Sequence, residues 1–135
     1  MGASEKTVSV KAAIARGQWV VNGPVMALMF VPAGLALLAH RPLAALLGSG
    51  PGATVVAGAS AVGGWVLAWI WWSHAVVRWR LWAYEHVEDI PALKQRAVEV
   101  GLTWPDGHVF GRTEVKSAAQ AAREKALERG DQGLR

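Results

Sequence analysis

Four histidines are the side chains best suited to chemistry in this 135-residue chain: His40, His74, His86 and His108. Neutral imidazoles in or near apolar segments can bind haem or another metal, or relay protons. The spacing argues against one shared site. His40 and His74 fall at opposite ends of the helical hairpin that the two apolar segments are predicted to form. His74 and His86 are twelve positions apart, too far to be adjacent ligands on one helix. For His74, which follows a tryptophan and a serine, we expect a hydrogen bond to a lipid headgroup or a neighbouring helix.

No other pattern in the sequence identifies a reaction. The absence of cysteine excludes disulfides, thiolate nucleophiles and cysteine-based metal sites. A P-loop, an HExxH motif and a nucleophile elbow are also lacking, and no acidic residue falls within the apolar segments. We therefore predict neither an enzyme nor a bound cofactor. Glu85, Glu88 and Asp89 are interpreted as ion-pair partners of Arg78 and Arg80.

The chain's tryptophans concentrate in one stretch, Gly63–Trp82, which holds six of the eight. Four of them recur at helical spacing and are typical of a helix that packs against another helix. We call this set the tryptophan seam: Trp65, Trp69, Trp72 and Trp79. A second set suits anionic lipid headgroups, because indole rings and guanidinium groups favour the membrane–water boundary. That set consists of Trp71, Arg78, Arg80 and Trp82.

Small residues precede the seam on the same predicted helix. Ala57 and Ala61 lie four positions apart, and Gly64 follows Ser60 by the same interval. Small side chains at that spacing let two helix backbones approach closely within lipid. We predict helix packing through this face, either with the first apolar segment or with a second copy of the chain.

Charge divides the chain, because Arg41 is the only formal charge between Gly17 and Val77. We predict transmembrane helices over residues 18–39 and 53–77. The first contains 22 residues, and at about 1.5 Å per residue these give roughly 33 Å, enough to cross a bilayer. Pro24 indicates a helix start or a bend, and Pro32 a kink. Residues 42–47 either extend the first helix or form an interfacial turn. A cleaved signal peptide fits less well, because the apolar segment is long and no good cleavage site follows.

The flanking segments predict shorter helices. A basic N-terminal helix occupies residues 1–17, starts near Ser4 and lies in the interface or frays. Residues 78–112 contain a helix capped by Asp89, followed by a turn. Residues 113–135 form an alanine-rich charged helix that begins at Thr113 and ends at Gly130, with disorder beyond it. The resulting regions are 1–17, 18–77, 78–112 and 113–135.

Basic residues predict the topology. Three precede the first apolar segment, one lies between the segments and ten follow the second. By the positive-inside rule, both termini face the cytoplasm of a bacterial-type inner membrane. This flanking charge also accounts for the formal net charge of +4, so we expect an anionic bilayer, and not nucleic acid, as partner.

We therefore predict an all-α integral membrane protein, a two-span transmembrane helical hairpin with a small helical cytoplasmic C-terminal tail. Its expected role is that of a non-enzymatic accessory or structural subunit that packs against a larger membrane complex or itself. The alternatives are a homo-oligomeric channel, a haem-, quinone- or lipid-binding subunit, and a membrane immunity protein. A channel would have only Asn22, Ser60 and Ser73 as polar lining, and a haem would be shared between copies of His74.

Overall fold

The computed structural model describes residues 6–48 and 50–133, and within these ranges the regular structure is helical throughout. The all-α prediction is therefore confirmed. The α-helices are α1 (Val10–Gly17), α2 (Gly23–Leu47), α3 (Gly52–His86), α4 (Ile90–Glu99) and α5 (Ala118–Gly133). A π-helical turn, Gln18–Asn22, joins α1 to α2, and a short 3-10 helix, Val109–Thr113, lies between α4 and α5.

Two long apolar helices pack as a hairpin, as the sequence predicts. The first is continuous from Val10 to Leu47, and the second is α3; both are long and apolar enough to cross a membrane. Pro42 is accommodated inside α2, so residues 42–47 extend this helix. The chain leaves α2 through Gly48, whose φ of +82° is a conformation that glycine adopts without a steric penalty.

The π-helical turn lies directly before Pro24. Proline has no N–H, so Pro24 cannot donate to the carbonyl four residues earlier, at Val20. A π turn moves the hydrogen-bond pairing by one residue and allows the helix to continue. Asn22 Nδ2 also donates to Gln18 Oε1 at 2.7 Å across this turn. Pro24 thus lies in the first turn of α2, within a longer continuous helix.

The chain forms two compact units, residues 6–22 with 72–133 and residues 23–71. In the first unit, α1, the C-terminal part of α3 and α4 enclose an apolar core. Its largest fully buried apolar side chains are those of Val21, Val76, Val77, Val87, Leu93 and Leu102. The Val8 N–H donates to the His86 carbonyl at 3.1 Å and ties the segment before α1 to the end of α3.

Local capping groups explain where the shorter helices begin. Ser9 Oγ accepts from the Ala12 N–H at 3.2 Å and caps α1, whereas the predicted start at Ser4 lies outside the described residues. Asp89 caps α4 by accepting from the Ala92 N–H at 3.0 Å. After α4, Gly101 adopts a φ of +71°. The start of α4 agrees with the predicted cap at Asp89.

The start of α5 differs from the prediction. Thr113 belongs to the 3-10 helix, and Ser117 caps α5 instead. Ser117 Oγ accepts from the Gln120 N–H at 3.2 Å, while Gln120 Oε1 accepts from the Ser117 N–H at 2.9 Å. This reciprocal capping box satisfies two backbone donors at once, which a cap at Thr113 would not do. The helix also continues past the predicted end at Gly130, to Gly133.

Candidate functional site

The tryptophan seam separates into a buried half and an exposed half. Trp72 and Trp79 are buried in the first unit, at 8% and 4% exposure. Trp65 and Trp69 belong to the second unit and remain 63% and 39% exposed. The four tryptophans share one helical period, which predicts a single packing surface, but two of them are buried in the first unit and two are exposed in the second.

Trp79 supplies the contact between α3 and α1. Its Nε1–H donates to the Ala13 carbonyl at 2.9 Å in the buried core. Gly17 makes room for the ring, because a Cβ at that position would lie 2.7 Å from Trp79 Cε2 and 2.5 Å from Leu102 Cδ2. Trp72 Nε1 lies 3.4 Å from the Leu102 carbonyl. The helix partner of Trp79 is thus the chain's own N-terminal helix, whereas Trp72 contacts Leu102, which follows α4 and Gly101.

The small-residue face lies against α2 in the second unit. Gly64 is buried, and a Cβ placed on it would lie 2.5 Å from the Leu28 carbonyl oxygen and 3.1 Å from Pro32 Cγ. Ala57 and Ala61 on the same face are half-buried. Gly64 and Pro32, which the sequence predicts as a packing residue and a kink, therefore lie against each other. Of the two partners predicted for this face, Gly64 contacts the first apolar segment of its own chain.

Arg80 differs from the predicted headgroup contact. Its guanidinium group forms a bidentate pair with Glu114, at 2.7 and 2.8 Å, and reaches Glu124 at 3.2 Å. The side chain is only 11% exposed. Burial lowers the pKa of Arg80, but the hydrogen bonds and charges of Glu114 and then Glu124 outweigh this and raise it above its ordinary value. Arg80 is a structural cation of the first unit.

The other members of the predicted headgroup set lie at the surface. Trp71 is exposed in the second unit, and Arg78 is exposed in the first. Trp82 is half-buried, with the Arg16 guanidinium carbon 4.2 Å from its ring centre. Arg16, which is not among the predicted headgroup residues, therefore lies beside this indole ring.

A cavity of about 380 Å³ lies in the first unit between α3, α4 and the turn that follows α4. Trp79, Tyr84, Leu93 and Trp104 contribute to its walls. Tyr84 is buried, and that burial raises the pKa of its hydroxyl well above the usual range. Trp104 is stacked on His108 with ring centres 4.9 Å apart.

Ion pairs bind α5 to the rest of the first unit. Lys94 lines the cavity and contacts both Glu128 of α5, at 3.0 Å, and Asp106, at 2.9 Å. Burial lowers the pKa of Lys94, but these two hydrogen bonds outweigh it and raise the pKa. Arg123 of α5 pairs with Glu85. The sequence analysis missed these pairs, since their partners lie 12 to 38 positions apart.

The four histidines occupy separate places. His40 Nε2 lies 3.4 Å from Thr54 Oγ1, and His74 Nδ1 lies 3.4 Å from Ser73 Oγ. His86 is stacked on Trp82, and His108 caps the 3-10 helix. Within residues 6–48 and 50–133, no three His, Asp or Glu side chains form a group that could hold a metal ion.

No protein-family model, no curated protein and no solved structure matches this chain.

Proposed function

We propose that this chain is a small, non-enzymatic inner-membrane protein. Its helical hairpin packs against a transmembrane helix of a partner through the exposed half of the tryptophan seam. The observation that carries this proposal is the contrast within the seam: Trp72 and Trp79 are buried by the chain itself, whereas Trp65 and Trp69 are not. The partner is either a second copy or a subunit of a larger membrane complex.

The exposed apolar surface of residues 23–71 supports a membrane location. Seventeen large apolar side chains in the described part of this unit are 39–83% exposed. Soluble monomers rarely expose apolar patches above roughly a few hundred Å². The most apolar windows of the two long helices are only 11% and 17% buried, unlike the mostly buried core helix of a soluble protein. Lipid chains would cover this surface without the free-energy cost of exposing it to water.

The distribution of basic residues supports the orientation. Lys11 and Arg16 precede the apolar part of the first long helix, and Arg78 follows that of the second. Arg41 alone is charged between the two apolar segments. With more positive charge beside the termini than at the connection, both termini face the cytoplasm in this proposal.

The partner-facing surface is a stripe on α3. Gly58, Val62, Trp65 and Trp69 are spaced by four, three and four positions, and all are exposed. At 100° per residue this stripe lies about 110° around α3 from the small-residue face that contacts α2. The hairpin contact and a second helix contact can therefore coexist. Glycine beside large aromatic rings gives the stripe a groove and ridges, which are the surface features through which helices pack.

The polar side chains on which a channel would depend are engaged elsewhere. Ser60 Oγ donates to the Val56 carbonyl at 2.9 Å, and Asn22 bonds to Gln18 within the π-helical turn. Ser73 is 2% exposed in the first unit. These contacts favour the packing role over a polar pore.

Single-cysteine cross-linking in intact membranes tests the proposal, since the natural chain has no cysteine. V62C lies on the stripe, whereas L67C lies on nearly the opposite side of α3; the native residues are 64% and 53% exposed. We expect cross-linked adducts from V62C and few from L67C. Adducts of twice the chain mass identify a second copy, and other masses a different subunit. Equal cross-linking at both positions, or none at V62C, would refute the packing role.

A further inference from the structure

Two arginines from different helices occupy positions near Trp82 in the first unit, Arg16 by contact with the ring and Arg78 by helical spacing. The Arg16 guanidinium carbon of α1 lies 4.2 Å from the centre of the Trp82 ring on α3. Arg78 is four positions before Trp82 on α3, a spacing that brings side chains onto one face with about 6 Å between Cβ atoms. Both arginines are exposed, and Trp82 is half-buried.

The ion pairs that the described residues of this unit form involve neither arginine. No ion pair of Arg16 or Arg78 occurs among the described residues. Five other cations of this unit are paired with acids: Arg80, Lys94, Arg96, Lys116 and Arg123. The Arg16 and Arg78 guanidinium groups thus retain their donors for an anion from outside the chain.

The Trp82 ring is held in place. The His86 ring stacks on Trp82 with centres 4.9 Å apart, and His86 Nδ1 donates to the Trp82 carbonyl at 2.7 Å. A cation over an indole face is attracted by the ring's quadrupole, which restrains the Arg16 side chain. Less side-chain freedom is then lost when an anion binds.

We propose that Arg16, Arg78 and Trp82 bind the phosphate of an anionic phospholipid headgroup. This inference rests on the proposed function, because a bilayer around the apolar part of α3 would present headgroups beside these residues. Guanidinium groups bind phosphate oxygens through paired N–H donors, and indole rings favour headgroup depth. Two cations around one phosphate would favour a lipid with net negative charge over a zwitterionic lipid, whose own cation opposes them.

Lipid retention by the full-length protein in detergent micelles provides the test. Native mass spectrometry would compare phosphatidylglycerol with phosphatidylcholine, added in equal amounts. We expect the wild type to retain the anionic lipid preferentially. In R16Q/R78Q the ratio of retained anionic to zwitterionic lipid should fall about tenfold, as for the loss of two charge-assisted contacts. R112Q is the matched control, because Arg112 is also exposed in this unit and makes no ion pair with a described residue. Its preference should equal that of the wild type.

Three results would overturn the site: an unchanged preference in R16Q/R78Q, an equal loss in R112Q, or displacement of the lipid by millimolar inorganic phosphate. R16K/R78K should keep part of the preference, which a loss of fold would not allow, and circular dichroism would verify the helical content of each variant. The readout needs no partner helix. A failure of V62C to cross-link would therefore refute the packing role and leave this measurement intact.

Discussion

Gly64 of α3 packs directly on Pro32 of α2. A Cβ on Gly64 would lie 3.1 Å from Pro32 Cγ and 2.5 Å from the Leu28 carbonyl oxygen. Pro32 has no N–H, so the Leu28 carbonyl lacks its usual donor four residues later. Glycine at position 64 brings a backbone close to that carbonyl, where Cα–H groups can act as weak donors. The proline and the glycine therefore complement each other across the hairpin.

Replacing Gly64 by alanine should destabilise the hairpin. The new methyl group would meet backbone oxygen rather than a flexible side chain, so one helix must move; we expect a loss of about 1–3 kcal/mol. Thermal unfolding in detergent measures this. G63A is the control, since Gly63 has nothing within 4 Å of an added Cβ, and it should be neutral or stabilising by about 0.5–1 kcal/mol. Equal stabilities of G64A and G63A would contradict the close contact.

Replacing Gly17 by alanine should disturb the first unit. The added Cβ would lie 2.5 Å from Leu102 Cδ2 and 2.7 Å from Trp79 Cε2, which forces the ring away from its hydrogen bond to Ala13. We expect a loss of about 1–3 kcal/mol from overpacking. G130A is a suitable control, because Gly130 is also helical and no described residue lies within 4 Å of a Cβ added there. Indole fluorescence during denaturant titration would report both variants. An unperturbed G17A would argue against the buried position of Trp79.

Loss of the Arg80 charge should destabilise the chain more than loss of the neighbouring Arg78 charge. R80Q leaves Glu114, 5% exposed, without its bidentate partner, and we expect a cost of about 2–4 kcal/mol. R78Q removes an exposed arginine and should change stability by less than about 0.5 kcal/mol. Parallel unfolding curves of the two variants measure the difference. Similar values for both would mean that the Arg80–Glu114 pair contributes little.

The features of the fold that the sequence predicts are those set by residues close together in the chain. The apolar segments and the cap at Asp89 each depend on residues within one or two helical turns, so both can be predicted from the sequence. The ion-pair partner of Arg80 cannot be predicted in this way. Glu85, Glu88 and Asp89 are closer in sequence, yet Glu114 is the partner because the chain returns alongside α3, where the Val115 N–H donates to the Ser73 carbonyl at 3.1 Å. That return depends on tertiary packing.

The tryptophan seam shows the same limit. Its period predicts a helix partner, but periodicity does not distinguish a partner in the same chain from one outside it. The distinction for Trp79 depends on Gly17, which lies 62 positions away and provides the space for the ring. No sequence signal around Trp65 and Trp69 indicates that these two rings stay exposed in the folded chain.

High salt should release α5 from the first unit. The helix is held by Arg80–Glu124 and Lys94–Glu128 at 3.2 and 3.0 Å, and by the Arg123–Glu85 pair. The two more exposed pairs, Lys94–Glu128 and Arg123–Glu85, contribute about 0–1 kcal/mol each and are screened, with a Debye length near 3 Å at about 1 M salt, whereas the more buried Arg80–Glu124 pair is screened less. We expect faster amide hydrogen exchange in α5 as salt rises, and little change in α4. E128Q should mimic part of this effect at low salt. Salt-independent exchange in α5 would show that apolar contacts hold it.

Stability should fall at alkaline pH through Tyr84 and Lys94. The folded chain raises both pKa values above ordinary values of about 10 for tyrosine and 10.4 for lysine. Because the folded state then binds more protons than the unfolded state, the stabilisation is complete below the unfolded pKa values. It declines as pH rises from about 10 through the folded values. Denaturant titrations across this range would measure the decline, and Y84F, which cannot ionise, should reduce the slope. A slope unchanged by Y84F would mean that Tyr84 ionises as readily in the folded chain as in the unfolded one.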